Sequence, residues 1–222
     1  MATVGIIGSG NIGSTVARLA VDAGHDVVLS NSRGPGTLRS LAAELGPSAR
    51  AATSKEAAAA GELILVSVPL RAYPSLSGLP LAGKLVMDTG NYYPERDGQI
   101  PQLETRALTD TEYLLSYLPG CEVVKVFNNI FFKHLRNLAR PTGDAERSAL
   151  PITGDNARAK AAVTEFLGSI GYDVVDGGAL AEGWRQQPGT PVYASPYGSF
   201  DNEQGTPAGT EVIRAALAAA EC

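Results

Sequence analysis

The chain has 222 residues, of which 44% are hydrophobic and 18% are charged, and its formal net charge is −5. This length suits one large domain, or one domain with a small second lobe, and the composition excludes a disordered chain. The negative charge argues against a general nucleic-acid or membrane-surface binder, so an anionic ligand would need a local basic site.

Three further absences narrow the class of protein. No apolar stretch approaches the roughly 18–20 residues that span a bilayer, and no signal-peptide pattern precedes Val4, so we expect a cytoplasmic protein without a membrane partner. The two cysteines, Cys121 and Cys222, are far apart and in no metal or redox spacing, which favours reduced thiols. His25 and His134 are isolated as well, so no metal site is expected.

The first motif follows a short apolar run, residues 4–7, which predicts a strand. Gly8-Ser9-Gly10-Asn11-Ile12-Gly13 comes next and opens into a helical stripe of apolar residues. Gly8 permits the tight turn, Gly10 lets a pyrophosphate approach the backbone, and Gly13 lets the helix pack closely on the strand. The free amides and partial positive charge of the helix N-terminus suit phosphate. We therefore predict that residues 8–13 bind the pyrophosphate of a dinucleotide.

The end of the second predicted strand, residues 26–30, indicates which dinucleotide. Sites that prefer NAD usually place Asp or Glu about 20 residues after the glycines, to bind the ribose 2′-hydroxyl. This chain has Ser30-Asn31-Ser32-Arg33 there, and a guanidinium with hydroxyls suits a 2′-phosphate. The sequence thus predicts NADP(H), with a solvated turn in which Arg33 faces water as the alternative.

Helices and strands alternate along the next part of the chain. Short helices are predicted at 38–45 and from Ser54, as N-cap, to residue 60, with a brief strand at 49–53 between them. A nearly continuous apolar run at 62–69 is typical of a parallel strand covered on both faces, and 85–89 is the next strand.

Residues just past these two strands are candidates for the site, because ligands of such sheets lie beyond the carboxyl ends of the strands. Val68, Pro69 and Leu70 lie at the carboxyl end of the first strand. Asn91 follows the second, where it either bonds the nicotinamide ribose or carboxamide or stabilises a turn beside Gly90.

An amphipathic helix is predicted at 109–118, and the sheet is predicted to continue with a strand at 123–129. Lys125 lies within that strand and is interpreted as a snorkelling surface residue rather than a catalytic one. Asn128 and Asn129, at the carboxyl end of the strand, are better placed for the crevice.

A smaller unit follows, with strands at 150–154 and 172–176 around a helix at 156–170. An irregular stretch at 182–209 leads to a closing helix at 211–220. The predicted fold class is therefore α/β, a doubly wound Rossmann-type parallel sheet in residues 1–126. Residues 127–222 are predicted to form a small α/β C-terminal lobe that completes the substrate pocket.

With these segments identified, the chain resembles the F420H2:NADP+ oxidoreductases, the NADPH-dependent F420 reductases, over most of its length. The matching stretches are residues 8–13, 30–35, 68–70, 88–93 and 184–193. The resemblance implies a hydride passed between the nicotinamide of NADP(H) and the deazaflavin ring of coenzyme F420, its co-substrate. The cofactors carry this chemistry, so the protein needs only to position them, with no catalytic nucleophile and no metal.

The resemblance also implies roles for individual residues. In the nucleotide half, Ser9 and Asn11 would cradle the pyrophosphate, residues 30–33 would hold the 2′-phosphate, and Val68 and Pro69 would line the nicotinamide. The residues implied at the deazaflavin pocket are Asn91, Asn128, Asn129, Thr190 and Pro191.

The phosphate and oligoglutamate tail of F420 would need an anion-binding path out of the pocket. Lys133, Arg136 and Arg140 are the candidates for it, with a solvated basic loop as the alternative. Asp201 and Glu203 lie just beyond the predicted pocket loop and add negative charge there.

Other functions remain open at this stage. The acceptor could instead be a flavin, a quinone-like compound, a ferric chelate or an imine, or the chain could be a sensor that binds NADP(H) without turnover. The β-hydroxyacid dehydrogenases share the N-terminal half, but they need a large helical second domain with a catalytic lysine, and the β-α-β pattern after Val126 does not provide one. Open sheet edges and a Pro/Gly-rich C-terminal loop make a homodimer the expected assembly.

Overall fold

A computed structural model describes residues 1–221, and Cys222 lies outside the described residues. The strands form a single sheet, and in chain order they are β1 (Thr3–Ile7), β2 (Asp26–Ser30), β3 (Ala49–Ala51), β4 (Leu63–Val66), β5 (Leu85–Asp88), β6 (Glu122–Lys125), β7 (Ala149–Gly154) and β8 (Asp173–Asp176). Their order across the sheet is β3-β2-β1-β4-β5-β6-β7-β8. The chain thus builds outward from β1 in both directions, as the doubly wound prediction requires.

The strands from β1 to β6 are all parallel, which confirms the predicted sheet type. β7 is antiparallel to β6, and β8 is parallel to β7. The start of β7 lies beyond the carboxyl end of β6, since Val124 is paired with Gly154. The chain therefore enters β7 from the carboxyl edge without crossing the sheet, and this reversal was not predicted.

The helices cover both faces of the sheet. Their bounds are α1 (Asn11–Asp22), α2 (Arg39–Leu45), α3 (Ser54–Ala60), α4 (Pro94–Asp97), α5 (Pro101–Glu104), α6 (Asp110–Leu115), α7 (Phe132–Asn137), α8 (Ala157–Ser169) and α9 (Thr210–Ala218). Short 3-10 segments occupy Pro35–Leu38, Leu70–Gly78, Leu180–Gln186 and Ser195–Tyr197.

Helix starts follow the side chains that can cap them. The N-cap of α3 is Thr53 rather than the predicted Ser54, because Thr53 and Glu56 form a reciprocal capping box. α6 begins in the same way after Thr109 and ends at Leu115, three residues before the predicted end. Asn156 caps α8 by accepting hydrogen bonds from the amides of Arg158 and Ala159.

The apolar core lies on both faces of the sheet, because alternate residues of a strand point to opposite sides. Leu65 of β4 packs in one cluster, and its neighbours Ile64 and Val66 pack in the other. The first cluster runs from Val4 of β1 to Ile213 of α9, so both predicted units share it. The boundary after Val126 stays a prediction.

Within residues 1–221, no helix is long and apolar enough to cross a membrane. In the same range, no three or more His, Cys, Asp or Glu side chains come together as a metal site would need. Cys121 is a free thiol whose sulfur contacts the Leu81 carbonyl at 3.0 Å.

Candidate functional site

The glycine turn lies where the sheet order reverses, since β1 has β2 on one side and β4 on the other. Gly8 has φ +102°, and a Cβ there would lie 2.2 Å from the Ser67 carbonyl oxygen after β4. A Cβ on Gly13 would lie 2.0 Å from the Gly8 carbonyl oxygen, whereas one on Gly10 would have nothing within 4 Å. Gly8 and Gly13 therefore allow close packing, and Gly10 borders open space at this switch point.

The N-terminus of α1 is open to an anion. Its N-cap is Gly10, no side chain caps it, and its first turn has no acidic residue. The first amides of a helix have no partner within the helix, so those of residues 11–13 face the open space beside Gly10. The arrangement suits a pyrophosphate.

The turn after β2 holds a free cation at the end of an ordered loop. The Asn31 side chain accepts a hydrogen bond from the Arg33 amide at 3.0 Å and donates one to the Thr37 hydroxyl at 2.9 Å. Arg33 and Ser32 are exposed, and within residues 1–221 the Arg33 guanidinium has no hydrogen-bond or ion-pair partner. The turn can therefore present its guanidinium to a phosphate.

Ser30 does not share that exposure. Its side chain is fully buried, and its hydroxyl donates to the Ile6 carbonyl at 2.7 Å. Its carbonyl accepts hydrogen bonds from the Gly8 amide and the Ser9 hydroxyl, both at 3.0 Å. The expectation that Ser30 itself contacts the 2′-phosphate is therefore wrong, because the residue instead ties the glycine turn to β2.

A cleft of about 460 Å³ extends from the glycine turn along the carboxyl edge of the sheet. Its lining comes from the ends of β1, β4, β5 and β6 and from the loop near Tyr193, namely Gly10, Asn11, Ile12, Ser67, Val68, Pro69, Thr89, Gly90, Asn91, Tyr93, Arg96, Phe127, Asn128, Asn129, Ile130, Phe131, Phe132, Tyr193, Ala194 and Phe200. This volume is within the range of small-molecule sites. The structure thus brings together predicted residues from four separate strand ends.

Two asparagines join the ends of β5 and β6 across the cleft. The Asn91 amide group donates to the Asn128 carbonyl at 2.7 Å, and the Asn128 amide group donates to Asn91 Oδ1 at 3.0 Å and to the Gln186 carbonyl at 2.7 Å. Asn129 donates to the Val192 carbonyl at 3.0 Å. These bonds fix the walls of the cleft, and the contact of the three asparagines with a ligand stays a prediction.

Part of the cleft lining is aromatic. The Phe131 ring meets Phe132 and Phe200 edge-on, with centroids 4.7 and 5.1 Å apart. The hydroxyls of Tyr93 and Tyr193 are 2.5 Å apart, and burial raises the pKa of the Tyr93 hydroxyl. An apolar lining with two phenols suits a planar ring.

Arg96 is the cation that lines the cleft. Its guanidinium lies 4.9 Å from the centroid of the Tyr93 ring, pairs with Asp97 at 2.7 Å, and donates to the Asn91 carbonyl at 2.6 Å. Its charge is therefore largely compensated by Asp97.

Two residues of the cleft have a backbone conformation that side chains disfavour. Phe127, just after β6, has φ +65°, and Ala194 has φ +60°. Such conformations cost about 1–3 kcal/mol each and concentrate at functional sites. Their position here supports the cleft as the site.

Three residues predicted near the cleft lie elsewhere. Leu70 is fully buried in the second apolar cluster, because it starts a 3-10 segment that turns into the core. Thr190 lines a separate cavity of about 640 Å³ with Tyr92 and Trp184, and Pro191 lines neither cavity. The Thr190-Pro191 turn thus points away, and Tyr193 and Ala194 enter the cleft in its place.

The three candidate tail-binding cations are engaged outside the cleft. Lys133 is paired with Glu203, and Arg136 with Asp22 at 2.6 Å. Arg140 donates to the carbonyls of Asn137 and Ala139 at 2.8 and 2.9 Å. They therefore form no basic path from the cleft.

The structure contradicts the interpretation of Lys125 as a snorkelling surface residue. Its side chain is fully buried, because β6 lies between β5 and β7 rather than at an edge. Its Nζ donates to the Gly90 carbonyl at 2.8 Å and to the Thr111 hydroxyl at 3.3 Å, and lies 3.9 Å from Asp88 Oδ2. The register pairs Lys125 with Asp88, so a salt bridge between neighbouring strands is available in the interior.

The residues that the sequence analysis missed are mainly aromatic. Phe131 and Phe132 follow Asn129 by two and three residues in the segment after β6, and that position could have identified them. Tyr193 and Phe200 are distant in sequence and carried no local signal. Tyr93 and Arg96 belong to or border a stretch already noted for its place after β5.

Comparison with known proteins identifies a family model and several similar structures. Residues 3–92 match the family model described as NADP oxidoreductase, coenzyme F420-dependent. The hypothetical protein SMa0349 from Sinorhizobium meliloti has a crystal structure that is 31% identical, with a TM-score of 0.75 and coverage of 87% of this chain and 94% of that chain. The crystal structure of a candidate F420-dependent NADP reductase from Arthrobacter sp. FB24 is 25% identical, with a TM-score of 0.68 and coverage of 82% and 87%.

A longer relative is a metalloreductase. Metalloreductase STEAP3 from Rattus norvegicus is 36% identical over 180 residues, which is 80% of this chain and 34% of the relative. The chain thus spans about a third of the length of that metalloreductase. The fold and the glycine turn of this chain agree with the family match, and residues 3–92 belong to the family of coenzyme F420-dependent NADP oxidoreductases.

Proposed function

We propose that the chain transfers a hydride between NADP(H) and the deazaflavin ring of coenzyme F420. The observation that carries the proposal is that one cleft is lined both by Gly10 of the glycine turn and by the aromatic rings of Phe131 and Phe200. A nucleotide and a planar acceptor can therefore share the same cavity.

The nucleotide half fits NADP(H). The uncapped start of α1 can receive the pyrophosphate, and the free guanidinium of Arg33 can receive the 2′-phosphate. Val68 and Pro69 are half-buried at the end of β4, next to Gly90 and Asn91 in the lining, and would hold the nicotinamide. When bound, NADPH supplies the hydride, becoming NADP+, and the acceptor ring gains the two electrons and the hydrogen.

The ring of F420 also fits, whereas its tail has no built path. The rings of Phe131, Phe132 and Phe200, with the two paired tyrosines, offer apolar contact to a planar ring and exclude water around it. The tail would extend into solvent, since Lys133 and Arg136 are paired with other side chains.

A second candidate function is reduction of a free flavin or of a ferric chelate with NADPH. It is favoured by the 36% identity with the metalloreductase over four-fifths of this chain. The nucleotide half would act in the same way, and the aromatic part of the lining would hold the other acceptor.

One absorbance experiment tests both functions and the sensor alternative. Purified protein is mixed with NADPH and oxidised F420, with parallel samples that contain riboflavin, FMN or a ferric chelate, and with NADH in place of NADPH. Loss of the F420 band with NADPH is expected. Reduction of only a flavin or chelate would select the second function, and binding of NADPH without any turnover would refute both in favour of a sensor.

A further inference from the structure

Gly90 lines the cleft, and its amide and its carbonyl are each hydrogen-bonded to one member of a buried pair of charged side chains. Its amide donates to Asp88 Oδ1 at 2.9 Å, and its carbonyl accepts from Lys125 Nζ at 2.8 Å. Both charged side chains are fully buried, with 3.9 Å between the Lys125 nitrogen and Asp88 Oδ2.

Neighbouring hydroxyls complete the polar contacts of the pair. Thr111 donates to Asp88 Oδ2 at 2.7 Å and accepts from Lys125 at 3.3 Å, and the Tyr73 hydroxyl donates to Asp88 Oδ1 at 3.1 Å. Thr111 and Tyr73 are fully buried too. The cluster is therefore fixed in place, with little freedom to rearrange.

Stability alone does not account for this pair. Buried salt bridges are often replaceable by apolar residues of similar size without loss of stability, because burying the charges costs about as much as their attraction returns. Apolar residues could not hold a polar backbone, however. Residues 89–91 belong to no helix or strand, so the Gly90 carbonyl depends on a side-chain donor for its orientation.

The held segment adjoins the nicotinamide half of the proposed site. Thr89, Gly90 and Asn91 line the cleft together with Val68 and Pro69, which follow the neighbouring strand β4. Asn91 is then fixed to Asn128. A shift of the Gly90 peptide would displace this wall.

We infer that Lys125 and Asp88 are positioning residues, which hold the Gly90 segment as the wall against which the nicotinamide is bound. The inference rests on the proposed function, because it takes NADP(H) as the occupant of the cleft. Lys125 acts through Gly90 and does not touch the nucleotide.

The test compares NADPH with 2′-phospho-ADP-ribose, a fragment that lacks the nicotinamide. The double variant Asp88→Asn/Lys125→Met removes both charges together, so neither Asp88 nor Lys125 is left buried without its partner, and the new asparagine can still accept from the Gly90 amide. By calorimetry, NADPH binding should weaken roughly three- to tenfold, as expected for loss of an oriented backbone contact. Binding of the fragment should change less than about twofold, since its anchors are at Gly10 and Arg33.

Lys84→Met is the matched control. The Lys84 ammonium also donates to a backbone carbonyl, that of Gly61 at 2.7 Å, but it lies before β5 at the opposite edge of the sheet. It should leave both affinities unchanged. If the double variant does not fold, Thr111→Val, which removes the bridging hydroxyl at nearly constant volume, should give a smaller loss of the same kind.

Turnover provides a readout that partial unfolding cannot imitate. With NADPH deuterated at C4, the isotope effect on kcat should rise in the double variant, because a poorly held nicotinamide makes hydride transfer more rate-limiting. An unchanged NADPH affinity with an unchanged isotope effect, or an equal loss for NADPH and fragment, would refute the inference alone. Failure of the wild-type protein to bind NADPH would refute the proposed function, and the inference with it.

Discussion

Replacement of Arg33 by alanine is expected to weaken NADPH binding and to leave NADH binding unchanged. The Arg33 guanidinium is exposed at the end of β2, and its loop is ordered by the Asn31 side chain, not by the arginine itself. The substitution therefore removes a cation without disturbing the loop, and the melting temperature should stay the same.

The magnitude follows from the contact that is lost. A hydrogen bond to a charged group contributes about 1.5–3 kcal/mol, or roughly ten- to hundredfold in the dissociation constant. Because the side chain is exposed, salt screens the interaction, and we expect about tenfold at 0.15 M salt and more at lower salt.

Fluorescence titrations with NADPH and NADH measure the effect. Arg158→Ala is the matched control, since Arg158 is an exposed arginine at the start of α8, which follows the end of the antiparallel strand β7 at the edge of the sheet opposite the cleft, and its loss changes the net charge equally. An equal loss for NADPH and NADH, or no loss for either, would show that the 2′-phosphate is not bound by this turn.

Three further predictions concern the glycine turn, the aromatic part of the lining and a buried histidine. Gly10→Val should abolish NADPH binding with little change in melting temperature, because a Cβ there meets nothing within 4 Å. Gly13→Ala should instead destabilise the fold by roughly 1–3 kcal/mol, since its Cβ would lie 2.0 Å from the Gly8 carbonyl oxygen. Binding by the valine variant, or normal melting of the alanine variant, would contradict this. Phe131→Ala should raise the KM for the acceptor roughly two- to tenfold and leave the NADPH dissociation constant unchanged, because the ring contacts Phe132 and Phe200 in the aromatic part of the lining proposed for the acceptor. A parallel loss of NADPH affinity would place the nucleotide against these rings instead. Burial lowers the pKa of His25, whose Nδ1 accepts from the Ala2 amide, so its neutral form stabilises the fold above the unfolded pKa of about 6.5 and this contribution is lost as the pH falls through the lower folded pKa. Denaturant unfolding between pH 7.5 and 5.5 should therefore show a fall in stability that His25→Asn reduces, and identical slopes for both proteins would refute the assignment.

Local patterns were sufficient to predict the glycine turn and the strands beside it. The turn at Gly8 and Gly13 is dictated by backbone approach over a few residues, and the run at 62–69 identifies a strand covered on both faces, so both were predictable. The exposed Arg33 follows for the same reason, because its place after β2 is a matter of spacing.

Local patterns could not predict which polar side chains are buried in the interior of the sheet. Lys125 resembles a surface lysine in sequence, and only the insertion of β6 between β5 and β7, with Asp88 beside it, makes its burial possible. Local patterns also could not predict the burial of Ser30, which ends β2, or of Leu70, which follows β4, because both positions resemble those of site residues although their side chains turn into the core.

The sequence by itself determined the sheet type, the glycine turn and the place of the arginine after β2, because each depends on neighbours in the chain. The tertiary structure decided the aromatic part of the cleft lining, which includes Phe131, Tyr193 and Phe200, and it placed Thr190 in a separate cavity. It also decided that β7 runs antiparallel to β6. These features depend on contacts between residues that are far apart in the chain, and no periodicity or spacing records which distant segments will pack together.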